Sequence, residues 1–184
     1  MADRVSDFLA QWARERPDLD AAPMGVIGRI GRAAEVLARG TQEYFAEHGL
    51  QQGQFDVLAT LRRSGSPFTL TPGALADSTM LSQAAMTNRL SRLEAKGLIE
   101  RRTDPANRRS VLVSLTDEGF ALVDGIVEGH LENERRLLAP LTGGEQARLA
   151  ALLEKWLAGT GDVSRGAGDE VRPSGRAARS ADGC

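Results

Sequence analysis

The sequence predicts a mainly α-helical fold carrying one small β-hairpin. Aromatic residues make up only 4% of the 184-residue chain, while hydrophobic residues reach 41%. The core must therefore come from Leu, Ala, Val and Ile, and an Ala/Leu-rich core favours helices. Apolar residues recur at three- and four-residue spacing along most of the chain. After Gly97 the period changes to that of strands, on either side of a turn-rich segment.

Taken in order, residues 3–16 read as a short amphipathic helix with Val5, Phe8, Leu9 and Trp12 on one side. Pro17 and Pro23 bound a linker. Residues 24–48 carry Ile27, Ile30, Ala34, Leu37, Tyr44 and Phe45 near one stripe and end at His48-Gly49, a C-cap signal. Residues 51–63 repeat the pattern with Phe55, Leu58, Ala59 and Arg62, and Ser64-Gly65-Ser66-Pro67 breaks it. Thr71-Pro72 opens a short helix over 72–78, since Thr caps well and Pro suits the first helical position. A turn through Thr79, Met80 and Leu81 follows. Ser82 caps a longer helix that stops at Gly97, with Met86, Leu90 and Leu93 as its buried stripe. Residues 98–102 and 110–115 form a hairpin around Thr103–Arg109. Long helices are expected at 117–138 and 143–158, the last with Leu149, Leu152, Leu153 and Trp156. Residues 160–184 are rich in Gly, Ser, Arg and Asp and read as a disordered tail. The organisation is thus an N-terminal helix and linker (1–23), a main domain (24–159) and the tail.

Short helix, turn, longer helix and hairpin, in that order, spell a winged helix-turn-helix. The second helix of such a motif lies in the major groove of duplex DNA. Its face opposite the buried stripe is Ala84, Thr87, Asn88, Ser91 and Ala95, small and polar enough for close approach. Gln83, Thr87 and Asn88 are candidates for base edges. Ser82 at the helix N-terminus suits a phosphate, and Arg92 a phosphate or a guanine. Arg108 and Arg109 sit at the hairpin tip, where an arginine can enter a narrow minor groove. Asp104 is expected to pair with a nearby arginine there.

Net charge is only −2, but its distribution matters more. Residues 82–109 hold seven basic side chains (Arg89, Arg92, Lys96, Arg101, Arg102, Arg108, Arg109) against three acids. Residues 1–60 and 117–154 are both net acidic. A basic stripe between acidic ends binds phosphate on one face and repels it elsewhere.

Other function classes find little support. Cys184 is the sole cysteine, which removes disulfides and cysteine metal sites and makes thiol-based redox sensing improbable. His48 and His130 read as surface histidines rather than catalytic bases. No glycine-rich phosphate loop or metal-ligand spacing appears, so neither an enzyme nor a cofactor is expected. No signal peptide or membrane span is legible, and the cytoplasm is the expected compartment. A winged interaction module without DNA remains the alternative.

Ser82–Gly97, Leu98-Ile99-Glu100-Arg101-Arg102, Asp104-Pro105-Ala106-Asn107-Arg108-Arg109 and Leu115-Thr116-Asp117-Glu118-Gly119 resemble the multiple antibiotic resistance regulator (MarR) family over roughly residues 24–158. One departure is Asn107, where the family usually carries an acid. The resemblance implies a homodimer joined by terminal helices (24–48, 117–138 and 143–158), a DNA-binding part over 50–116, and a palindromic operator. The N-terminal helix with Trp12, together with Phe55-Asp56-Val57-Leu58 and Thr87-Asn88-Arg89, is similar to the urate-responsive, PecS-like subfamily. That resemblance implies a ligand site of Trp12, Asp56 and Arg89, with Arg101 at the wing base. The ligand would be a small planar anion: urate first, a related purine or another small anion otherwise. Helix geometry agrees that Arg89 lies on the flank of its helix, and Asp56 beside Phe55 is expected to meet a cation.

Overall fold

The computed structural model describes residues 2–79 and 83–161, without the Gln83 side chain. The predicted turn residues Met80 and Leu81, the cap Ser82, and the tail from 162 onward lie outside the described residues. Contacts divide the chain into two units, Met1–Ala139 and Pro140–Cys184.

The first unit holds α1 (Arg4–Glu15), α2 (Ala22–Glu47), α3 (Gln52–Arg63), β1 (Thr69–Leu70), α4 (Pro72–Thr79), α5 (Gln83–Ala95), β2 (Ile99–Thr103), β3 (Val111–Leu115) and α6 (Asp117–Leu138). The fold is a mainly helical winged helix-turn-helix. Its sheet has three strands rather than the two of a simple hairpin, because β1 adds antiparallel to β3 in the order β1-β3-β2. Thr69 faces Ser114 and Leu70 faces Val113. A two-residue strand is too short to show a period, which is why the sequence pattern misses it.

Helix α3 is the centre of the core. Its Val57, Leu58 and Leu61 are fully buried, beneath Leu75 of α4, Met86 and Leu93 of α5, and Val113 of β3. Each such side chain contributes about 1.5–3 kcal/mol on leaving water. The α5 stripe Met86, Leu90, Leu93 is buried as its spacing predicts. Gly97 closes α5 with φ +69°, a conformation glycine adopts without steric cost. Thr116 caps α6 by accepting from the Gly119 amide at 3.0 Å, and its hydroxyl donates to Gly97 O at 2.7 Å. Gly119 lies so close to the Leu98 carbonyl that any side chain would collide with it. The wing is therefore seated directly on the first turn of α6.

Only the C-terminal end of the α2 stripe is buried within the chain. Phe45 is 1% exposed, whereas Ile27 is 71% exposed. Helix α1 packs along the N-terminal half of α2: Val5 approaches Gly28 and Leu9 approaches Gly25. Arg29 donates from Nε to Asp3 Oδ2 at 2.8 Å, across the two helices. Asp3 also caps α1 by accepting from the Ser6 amide at 2.8 Å. The Ser6 amide and the Ser6 hydroxyl, which also donates to Asp3 Oδ1 at 2.8 Å, then Arg29, hold its carboxyl down to about 2.

The second unit contains α7 (Gly143–Gly159). Thr142 and Glu145 form a reciprocal capping box at its start, the Thr142 amide donating to Glu145 Oε2 at 2.8 Å. Leu149, Leu152 and Trp156 are exposed along it.

Candidate nucleic-acid interface

Because Met86, Leu90 and Leu93 turn inward, α5 presents Ala84, Thr87, Asn88, Ser91 and Ala95 to solvent. Gln83 opens the helix. The proposed phosphate cap Ser82 lies outside the described residues. The other flank of α5, with the residue that follows it, carries three cations at three- and four-residue spacing, all directed at the α2–α3 junction. Arg89 stacks its guanidinium against Gly53, leaving no room there for a Cβ. Arg92 donates weakly to Gln51 Oε1 at 3.4 Å, and Lys96 Nζ donates to Gly49 O. Arg92 is exposed, but it leans towards α3 rather than straight outward. A phosphate or base contact requires it to leave Gln51.

The wing is built by β2 and β3, with Arg101 opposite Val113 and Thr103 opposite Val111. Its tip is set by backbone chemistry. The Asp104 amide donates to Ser110 O at 3.0 Å, and Asp104 Oδ1 accepts from the Ala106 amide at 2.8 Å. Asn107 Oδ1 accepts from the Arg109 amide at 3.2 Å. The expected pairing of Asp104 with an arginine is absent, because its carboxylate turns back on its own loop as an Asx turn. Arg108 and Arg109 are exposed, and among the described residues neither is ion-paired. Exposed cations of this kind suit contact with a nucleic-acid backbone.

Beside this surface lies a second cluster. Asp56 is half-buried on α3, and burial pushes its carboxyl above the usual range against the opposing pull of Arg89, His130 and Arg63. The direct Asp56–Arg89 ion pair is not formed. No cation among the described residues lies within ion-pair distance of the carboxylate, and Arg89 sits instead on Gly53, one turn earlier on the same helix. Arg63 and His130 are additions that the sequence reading missed. Arg63 follows Asp56 by seven residues, two helical turns, and so shares its face. His130 is not a surface residue. Its side chain is 15% exposed, its ring lies 4.9 Å from both Phe45 and Phe55, and its Nδ1 is buried without a partner. Its place four residues after Ile126 and seven after Val123 puts it on the buried stripe of α6, a signal the sequence contained.

Trp12 and Arg101 do not join this cluster within one chain. Trp12 lines a groove of about 310 Å³ between α1 and α2, with Phe8, Leu9, Met24 and Arg32. The reason is the course of α1, which follows the N-terminal half of α2, whereas Asp56 and Arg89 lie near its C-terminal end. Arg101 donates from Nε to Glu94 Oε2 at 2.9 Å, and its Nη2 reaches the same oxygen. It ties the wing base to α5, and this bond raises the Arg101 pKa and lowers that of Glu94.

The sequence pattern described as the MarR family matches residues 48–110. The chain is 44% identical over 149 residues to the HTH-type transcriptional regulator PecS of Dickeya dadantii, covering 81% of this chain and 90% of that protein. The structure of Bordetella bronchiseptica BpsR, described as regulated in its DNA binding by 6-hydroxynicotinic acid, superposes with TM-score 0.65 at 30% identity. It covers 71% of this chain and 91% of its own. A mutant of MarR from E. coli complexed with operator DNA gives TM-score 0.64 at 28% identity, covering 79% and 97% respectively. The exposed face of α5 and the arginine-tipped wing thus belong to a DNA-binding transcriptional regulator, and the chain is a member of the MarR family.

Proposed function

We propose that the protein is a repressor that binds a pseudo-palindromic operator as a homodimer and is released by a small planar anion, urate or a related purine. The observation that carries the reading is the pairing of a small, polar, exposed α5 face with two uncommitted arginines at the wing tip. The first reads bases and the second grips the backbone. Two copies are called for because α2 leaves Val26 and Ile27 more than half exposed and α7 leaves Leu152 and Trp156 so. Side chains of this kind are normally covered.

Release is supported by the chemistry around Asp56. An anion arriving at Arg89 and Arg63 would repel the half-buried carboxylate and draw Arg89 off Gly53, moving α5 from beneath. Arg101, bonded to Glu94, would carry that movement to the wing. Trp12 supplies a stacking face for a planar ligand only if its groove meets the cluster, for example across two copies. BpsR, which responds to 6-hydroxynicotinic acid, favours a second reading in which the ligand is a small aromatic carboxylate.

The test is release of a labelled duplex from the adjacent intergenic region by urate, xanthine and 6-hydroxynicotinic acid. Urate or xanthine is expected to release the wild-type protein, and Arg89→Ala and Trp12→Ala each to lose that response. An unchanged response in both variants would remove the site. Release by the carboxylate alone would select the second reading.

A further inference from the structure

Arg62, at the end of α3, belongs to neither cluster described above. Its guanidinium lies against two neighbouring rings, 4.6 Å from the centroid of Phe120 on α6 and 5.4 Å from that of Phe68. The two rings are themselves 5.1 Å apart. Its Nε donates to Asp124 on the next turn of α6 at 2.8 Å. Arg62 and Asp124 are 39% and 45% exposed, so the ion pair alone is weak. What distinguishes the arrangement is the planar fork, which stacks on two aromatic faces while it bonds a carboxylate.

Phe68 occupies an unusual backbone position, with φ +57°. A bulky residue keeps that conformation only where its surroundings fix it. Two functional elements start from this residue. Its carbonyl accepts from the Leu115 amide at 3.3 Å, and the next hydroxyl, Thr69 Oγ1, lies 2.7 Å from Ser114 Oγ. Those contacts set β1 on β3, the inner strand of the wing. Three residues on, Thr71 Oγ1 accepts from the Ala74 amide at 3.2 Å and opens α4, the first helix of the helix-turn-helix.

We propose that Arg62 is a positioning residue for DNA binding: clamping the Phe68–Phe120 pair from one side while bonded to Asp124, it sets the root of the wing and thereby the aim of Arg108 and Arg109. The proposal rests on the reading that those arginines contact the DNA backbone. Lysine at position 62 keeps the charge but has no planar face to lay against the two rings. The wing would then pivot at β1 while the α3 core, in which Leu58 and Leu61 are fully buried, stays packed.

The experiment is a salt series of operator binding by fluorescence anisotropy, on a duplex selected from a random pool by the wild-type protein. Removing Arg108 and Arg109 together is expected to flatten the slope of log affinity against log salt by about 3–4 for two protomers. Arg62→Lys is expected to produce at least half of that flattening, with a thermal midpoint close to wild type. Asp124→Asn, which leaves the rings stacked on Arg62, is expected to give a smaller flattening and serves if the lysine variant fails to fold. A residue that merely stabilises the fold would lower the thermal midpoint and leave the slope alone. A wild-type slope in Arg62→Lys, or in Asp124→Asn where only that variant folds, overturns the clamp when the double wing variant flattens. A wild-type slope in the double wing variant overturns the wing reading, and the clamp with it.

Discussion

Asp56 is a carboxylate held half out of water, with Arg89, His130 and Arg63 acting on it from a distance and burial outweighing their pull. Its folded pKa is therefore above the ordinary 3.8, so the folded state binds its proton more tightly than the unfolded chain. The group opposes folding above its folded pKa, and that opposition fades as pH falls from there towards 3.8. Asp56→Asn should raise the thermal midpoint slightly at neutral pH. The advantage should shrink as the solution is acidified; an advantage that grows in acid would contradict the assignment. A second substitution separates stability from response. Gly53→Ala replaces a glycine in the first turn of α3 with a better helix former, but expels the Arg89 guanidinium from its seat. Melting should be unimpaired and release by an anionic ligand blunted in the same preparation. At this scale the sequence makes Asp56 and Arg89 legible through their positions on helix faces. The partners that Arg89 and Arg101 choose, Gly53 and Glu94, are settled by which turn of a neighbouring helix comes within reach, and periodicity alone does not encode that.

At the scale of elements, the helices declare themselves through caps and spacing. Thr116 and Thr142 both accept the amide three residues ahead, and α6 runs over the span that the pattern predicts. The wing strands are also legible. Strand β1 is not, since its pairing with β3 is fixed by tertiary contacts rather than by alternation in its two residues. Helix α1 packs on α2 through Val5 and Leu9 and is latched at its start by Asp3. Because the Asp3 pKa is lowered to about 2, the latch is fully present above the unfolded value near 3.8 and is lost as pH falls towards 2. Asp3→Ala should therefore speed amide exchange throughout Arg4–Glu15 at neutral pH while leaving α3 protected. Hydrogen exchange read by mass spectrometry checks this, and equal protection of α1 in both proteins would show that Val5 and Leu9 suffice to hold it.

For the whole molecule, the arrangement of charge outweighs its sum. The basic segment 82–109 supplies α5 and the wing, while net-acidic segments supply most of the helical body. On the proposed reading, phosphates are drawn to one surface of a protein whose net charge is −2. The apolar side chains left open on α2 and α7 explain why one chain shows only part of the stripes its sequence contains. Coverage by a second copy would also align two α5 helices on one duplex. That geometry makes a sharp demand, because paired recognition helices read half-sites about one helical turn apart.

The most direct measurement is selection of duplexes from a random pool by the full-length protein, followed by sequencing, for wild type and Asn88→Ala. Two inverted half-sites roughly 10 base pairs apart, centre to centre, with a changed base preference in the Asn88 variant, are the expected result. Recovery of no common sequence, or of the same sequence at every position by both proteins, would contradict readout by the outer face of α5.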